Sequence, residues 1–398
     1  MFGGKLIGEG SESCVFKPNI PCKKTKKKNK SRVSKIIYHG NSKKAMDDEK
    51  KENKMISKIK NYKKWAIIFD EYCKSPDFKT IEKHDKDIMK CPWSNIDSNF
   101  DNLKSHMLTG PAGGESMDTY FNNNFMKIKT LPQLNKEFLK LMNMMKSLFL
   151  GLKELKKNKI VHNDIKYQNI ILQKNNFKLI DFGISGKTNN IELFRNRSLQ
   201  ELKSNRIYYF YPLEYIYISS DYVSLLDELA NPQKRDNFKF FDYLFYCFNI
   251  DAEKVHRNTI DEILDGKLNI SDIIKKLDVY SLGTLVPLMF YNSPFRDMHY
   301  YIKKSEIISD FFNLFQKMCE PICTRRIDAD ESYNQFTKLL KKHNKTPKRV
   351  QRRTAKRVQR RTAKRVQRRT AKRVQRRTPR RVQRRTPRRV QRRTPRRV

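Results

Sequence analysis

The chain has 398 residues and a formal charge of +44, from 86 Lys and Arg against 42 Asp and Glu. That length allows two or three domains. No apolar run approaches the about 18 residues that span a bilayer, so membrane insertion is not expected. The seven cysteines are odd in number and fit no disulfide scaffold, so free thiols in a reducing compartment are expected. Cys319 and Cys323 form a lone CxxxC without a partner pair and are not read as a metal site. The opening MFGGKLIGEG has no basic region followed by an apolar one and is not read as a secretory signal.

Residues 5–16 alternate weakly around Gly8 and Gly10, which predicts two short strands and a turn. A lysine-rich run at 23–32 reads as a solvated loop, and 33–40 returns to strand character. Met46 to Tyr62 predicts a helix, with Met55, Ile56 and Ile59 on one face. Trp65 to Cys73 is a strand candidate, and 74–101 is polar and irregular. From Leu134 to Leu155 apolar residues recur at threes and fours, a long core helix. Residues 216–277 are aromatic without a motif. Leu277 to Met289 reads as a buried helix interrupted by Gly283 and Pro287, and Ser305 to Met318 and Ser332 to Leu340 as two more. A sheet-rich front and a helical back make a two-lobed α+β body.

Between these elements lies VHNDIKYQNIIL, residues 161–172. His162, Asp164, Lys166 and Asn169 are polar groups set in an apolar run. Buried polar groups need partners, so the core is holding them in place. DFG follows at 181–183, twelve residues after Asn169. Upstream stand Gly8-Glu9-Gly10 with Val15, and Lys35 within Val33-Ser34-Lys35. Downstream stand Pro212-Leu213-Glu214, Asp278 and Arg326.

These motifs, in this order over residues 5–340, resemble a eukaryotic-type serine/threonine protein kinase. With Phe16-Lys17-Pro18, Ile20-Pro21-Cys22 and Val33-Ser34-Lys35-Ile36-Ile37, they resemble more narrowly the kinases of large nucleocytoplasmic DNA viruses. The resemblance implies a two-lobed kinase-like fold: a small sheet-rich N-lobe and hinge over 1–112, and a larger helical C-lobe over 113–343. It implies ATP and Mg²⁺ as cofactors and a protein substrate with a Ser or Thr acceptor. Gly8, Gly10 and Val15 would cover the phosphates of ATP, and Lys35, paired to a helix glutamate, would hold them. Glu52 is the expected partner and Glu49 the alternative. Asp164 would orient the acceptor hydroxyl, and Lys166 would neutralise charge on the transferred phosphoryl. Asn169 and Asp181 would bind metal. Glu214 and Arg326 would form a buried ion pair, and Asp278 would brace the catalytic loop.

The chain departs from that pattern in places. Ser13 replaces a glycine, and Asn163 stands where an arginine usually meets an activating phosphate. The hinge is expected at Thr109 to Ala112, with Leu108 and Thr109 at the adenine. Pro111 has no N–H there, so either the register slips by a residue or adenine loses one hydrogen bond. Insertions are expected within 74–105 and 216–270.

From Gln351 the chain is six copies of an octapeptide, three QRRTAKRV and three QRRTPRRV. They carry 24 positive charges, leaving +20 on residues 1–350. Such charge density with valine as the one sizeable apolar residue predicts a disordered basic tail over 344–398. Residues 346–398 could bind DNA or RNA non-specifically through phosphate contacts, or act as an intracellular address. A viral origin would place the protein in the host cytoplasm, nucleus or virion. Each repeat also offers a threonine after two arginines. The rival readings are a pseudokinase scaffold with a nucleic-acid-binding tail, a nucleic-acid-condensing protein, and a kinase of small molecules or lipids.

Overall fold

The computed structural model describes residues 5–9, 13–22, 29–37, 42–76, 81–82, 90–91, 105–203, 209–218, 242–251, isolated positions between 254 and 262, and 264–344. Gly10, most of both expected insertions and the repeat tail lie outside the described residues. Among the described residues no helix is long and apolar enough to cross a membrane.

The N-lobe is a five-stranded sheet, β1 (Lys5–Glu9), β2 (Ser13–Lys17), β3 (Arg32–Ile37), β4 (Glu71–Lys74) and β5 (His106–Pro111), in the order β1-β2-β3-β5-β4. Neighbouring strands are antiparallel. Strand alternation sends Cys14, Phe16, Ile36 and Met107 into one small core with Ile20, Cys22, Ile81 and Cys91. The other face carries a cross-strand row: Gly8 opposite Val15, Val15 opposite Lys35, Lys35 opposite Leu108. Directly paired residues share a face of the sheet, so this row lines one wall of the cleft. Helix α1 (Ser42–Ser57) buries Ser42, Glu49, Asn53 and Ile56.

Two disulfides, Cys14–Cys91 and Cys22–Cys73, correct the expectation of free thiols throughout. The partners are 77 and 51 residues apart in sequence, so no local spacing reveals them. Folding brings their Cα atoms to 6.3 and 6.1 Å, within bridging reach. Cys247, Cys319 and Cys323 are free and buried.

The C-lobe is built on two long helices, named with the shorter elements around them in chain order. Helix α2 spans Met117–Phe125 and α3 spans Leu131–Lys157. Thr130 caps α3 by accepting from the Gln133 N–H. Its inward face buries Leu134, Phe138, Leu141, Met145, Leu148 and Leu152. Full burial of one such side chain contributes about 1.5–3 kcal/mol. Then come β6 (Ile160–Val161), the hairpin β7 (Ile170–Gln173) and β8 (Asn176–Leu179), and β9 (Gly186–Lys187), which pairs with β6. Helices α4 (Ile191–Lys203) and α5 (Asp242–Phe248) precede α6 (Ile270–Tyr291).

Helix α6 is buried almost throughout from Ile273 to Phe290. It runs through both Gly283 and Pro287, where the sequence suggests interruption. A Cβ at Gly283 would meet Met318 Cβ at 2.7 Å, so the glycine lets the next layer approach. That layer is α7 (Met298–Lys304), α8 (Glu306–Met318) and α9 (Ala329–His343). Phe336 of α9 stacks on Phe149 of α3 at 3.7 Å between ring centroids.

The expected strand Trp65–Cys73 is a second correction. Only Glu71–Lys74 is strand. Residues 65–70 turn instead against the C-lobe, where Ala66 bridges Leu179. The apolar run that reads as a strand is apolar because it is buried between the lobes.

Candidate active site

The polar groups of the 161–172 run are held as the core demands. The His162 and Asn163 N–H groups donate to the buried Asp278 carboxylate at 2.7 and 3.0 Å. His162 is fully buried, and burial pulls its pKa below the ordinary value, so the ring is neutral. Its Nε2 meets the Ile180 carbonyl at 3.1 Å, and its Nδ1 accepts from the Asp164 N–H at 3.3 Å. The 162–164 loop is thereby tied both to α6 and to the segment leading into Asp181.

Asn169 donates to the Asp164 carbonyl at 3.0 Å and to Asp164 Oδ2 at 2.7 Å. Lys166 Nζ lies 3.0 Å from the same Oδ2. Both side-chain contacts fall on one oxygen, which leaves Asp164 Oδ1 without a partner among the described residues and free to meet a hydroxyl. Burial raises the Asp164 pKa, and Lys166 opposes the rise.

Across the cleft, Lys35 Nζ lies 3.0 Å from Glu49 Oε2 and 3.2 Å from Asp181 Oδ1. Burial pulls the Lys35 pKa down, but the Asp181 and Glu49 carboxylates outweigh it and leave the ammonium held above its ordinary value. Lys35 in turn holds the Asp181 carboxyl below the usual aspartate range. Lys35 is therefore charged and Asp181 ionised at neutral pH. Asp181 adopts a left-handed conformation, φ 60°, with its Oδ1 against Lys35.

Glu52 is not the partner of Lys35, which corrects the sequence expectation. Glu49, Asn53 and Ile56 share the buried stripe of α1 at spacings of four and three. Glu52 lies off that stripe and is half-buried, and burial pushes its carboxyl up to about 7.

Gly8, Val15 and Leu108 stand in the same cross-strand row as Lys35. Thr109 does not. It pairs with Ser34, one residue out of step, and its hydroxyl meets Ser34 Oγ at 3.3 Å on the opposite face. Its carbonyl is taken by the Asp70 N–H at 3.1 Å. The expected hinge, Thr109 to Ala112, overlaps the end of β5. Strand β5 runs through Pro111, and the Ala112 N–H still reaches Ser31 at 2.8 Å. Pro111 therefore lies on the strand, and its lack of an N–H takes nothing from the segment beyond. Beyond β5, the Gly113 N–H meets no acceptor among the described residues. A Cβ there would collide with Ile171, so glycine permits the close approach.

A divalent cation fits these residues. Asn169 uses its amide nitrogen on Asp164, and Asp181 uses Oδ1 on Lys35. That leaves Asn169 Oδ1 and Asp181 Oδ2 without hydrogen-bond partners among the described residues, two oxygens suited to a hard ion. Mg²⁺ commonly takes only one or two protein ligands and completes its shell with phosphates and water.

The remaining family landmarks are structural. Arg326 and Glu214 pair at 2.6 Å with both side chains essentially inaccessible. Arg326 Nε also donates to the Glu320 carbonyl at 2.8 Å. The Tyr211 hydroxyl donates to the Asn163 carbonyl at 2.7 Å, which joins the Pro212–Glu214 segment to the catalytic loop. No local pattern marks Tyr211 for this contact.

No curated protein matches the chain. The family model for the protein kinase domain matches residues 3–208, just over half of it. The matched stretch carries the cross-strand row, the Lys35–Glu49 pair, the 162–169 loop and Asp181, so by sequence and by site geometry this chain belongs to the protein kinase family.

Proposed function

We propose that the chain is an ATP- and Mg²⁺-dependent serine/threonine protein kinase. The observation that carries this reading is the convergence of two charge networks on one cleft. Lys35, Glu49 and Asp181 form one, and Asp164, Lys166 and Asn169 the other, each with oxygens left open on the cleft side. Phosphoryl transfer asks for positioning and neutralisation of charge, and these networks offer both.

In this reading Lys35, fixed by Glu49, holds the nucleotide phosphates, and Asp181 and Asn169 hold Mg²⁺. Bound there, the ion neutralises phosphate charge. Asp164 accepts a hydrogen bond from the acceptor hydroxyl through its open oxygen and orients it. Lys166 supplies positive charge beside that oxygen. Gly8 and Val15 lie over the phosphates, and Leu108 lines the wall beside Lys35. The preference for Ser and Thr rests on Lys166 in the catalytic loop. The viral affiliation rests on the residue pattern between Phe16 and Ile37. The basic repeats are assigned to non-specific polyanion binding from their charge.

Radiolabelled ATP, offered with a mixed protein set in Mg²⁺ or in EDTA, tests the reading. Label on serine and threonine, abolished by EDTA and by Asp164→Ala, is the expected result. Label on tyrosine would overturn the specificity. No transfer from folded protein would favour the pseudokinase scaffold.

A further inference from the structure

We infer that Trp65 is a positioning residue for the metal site, acting through Phe182 on Asp181. The inference rests on the phosphotransfer reading and extends it to a residue outside every motif of the cleft.

Asp181 is held from both sides along the chain. On its N-terminal side, the Leu179 N–H donates to the Trp65 carbonyl at 2.9 Å, and the Leu179 carbonyl accepts from Ile67 at 2.9 Å. The Ile180 N–H donates to the Asn169 carbonyl at 3.0 Å. On its C-terminal side, the Phe182 ring sits between two others. His162 lies 4.6 Å away by ring centroids, and the Trp65 indole meets Phe182 edge-on at 6.4 Å. Trp65 therefore fixes the residue two before Asp181 with its backbone and the residue after it with its ring.

The indole is itself wedged. It is fully buried, and a Cβ added at Gly151 of α3 would meet its six-membered ring at 3.1 Å. Its Nε1–H finds no acceptor among the described residues. A buried donor without a partner is a cost, so shape rather than hydrogen bonding accounts for an indole here. Its plane fills the space between α3 and Phe182, and that fixes where Phe182, and with it Asp181, can lie. Asp181 needs this support because it holds a left-handed φ of 60° while paired to Lys35.

Two variants separate positioning from bulk stability. Trp65→Phe removes the wedge. Gly151→Ala leaves the indole in place but presses on it from behind. The readout is thermal stabilisation of the full chain by ADP, titrated with Mg²⁺ and compared with ADP in EDTA. Wild type should show an Mg²⁺-dependent increment. Both variants should keep the metal-free ADP increment, and the Mg²⁺ concentration that gives half the extra increment should rise by about tenfold. Equal loss of both increments would reduce Trp65 to general packing, and unchanged Mg²⁺ titrations in both variants would overturn the inference. A wild type stabilised by ADP but indifferent to Mg²⁺ would sink the metal-dependent reading itself, and that outcome is distinct from either variant's failure.

Discussion

The cleft and the closed interior of the C-lobe both bury charge, and they treat it in opposite ways. In that interior, Glu214 and Arg326 face each other at 2.6 Å, essentially without exposure, and beneath the 162–164 loop Asp278 spends its carboxylate on two backbone N–H groups. In the cleft, the side chain of Asp181 keeps 41% exposure, and Asp164 and Asp181 each make their side-chain contacts through a single oxygen. The first arrangement is closed and the second is left open. A closed network fixes a shape, whereas an open one is unfinished until a ligand arrives. Substitutions in the two regions should therefore separate stability from activity.

The largest separation is expected at Asp164. Asp164→Asn should lower transfer by about 10²–10⁴-fold while the melting temperature stays close to wild type. Transfer kinetics and a thermal melt on the same preparation check this. The wild-type pH–rate profile carries the same idea. In the proposed mechanism transfer uses the ionised carboxylate, and burial raises the Asp164 pKa. Activity should thus fall with acidification at a higher pH than an exposed aspartate, near about 4, would give. An acid limb at or below that range would contradict the burial argument.

Breaking the closed network should do the reverse. Arg326→Met leaves Glu214 buried and unpaired, and loss of one partner of such a pair costs about 3–5 kcal/mol. Denaturant unfolding should report it, with transfer per folded molecule close to wild type. Activity lost without loss of stability would mean that the two regions are not separate.

A smaller effect sharpens the comparison within the cleft. Glu49→Gln should weaken ATP binding by about tenfold, or about 1.4 kcal/mol, whereas Glu52→Gln should change it little. Nucleotide titrations of the two variants decide between the glutamates. The reverse ranking would place the Lys35 partner wrongly. The smallest effect is expected on phosphatase treatment. Asn163 stands where the family resemblance puts an arginine that meets an activating phosphate, and the Tyr211 hydroxyl ties the activation segment to the Asn163 backbone carbonyl instead. Dephosphorylated protein should keep its activity within about twofold, and a collapse would show that this contact does not replace the phosphate.

Legibility in the sequence followed distance along the chain. His162, Asp164, Lys166, Asn169 and Asp181 stand within twenty residues, and their spacing alone marks them. The long stripe of α3 was equally plain, because helical periodicity repeats every few residues. Glu49 and Glu52 were ambiguous for a geometric reason. Seven and four residues before Ile56, they lie about 20° and about 40° from it on a helical wheel, so both suit the buried face. Thr109 lies one residue from Leu108, and in a strand that step carries its side chain to the other face. The disulfides and the Trp65–Phe182 contact join residues far apart in sequence, and an apolar run such as 65–69 looks the same whether it is a strand or a wedge between lobes.

In the proposed reading the cleft is an open network that nucleotide and metal complete. Isothermal titration of a non-hydrolysable ATP analogue, with Mg²⁺ and with EDTA, tests it most directly on wild type, Asp181→Asn and Arg326→Met. Mg²⁺ should tighten binding to wild type and to folded Arg326→Met, and Asp181→Asn should lose the metal dependence. Binding equally tight with and without Mg²⁺ in wild type, or metal dependence surviving in Asp181→Asn, would contradict it.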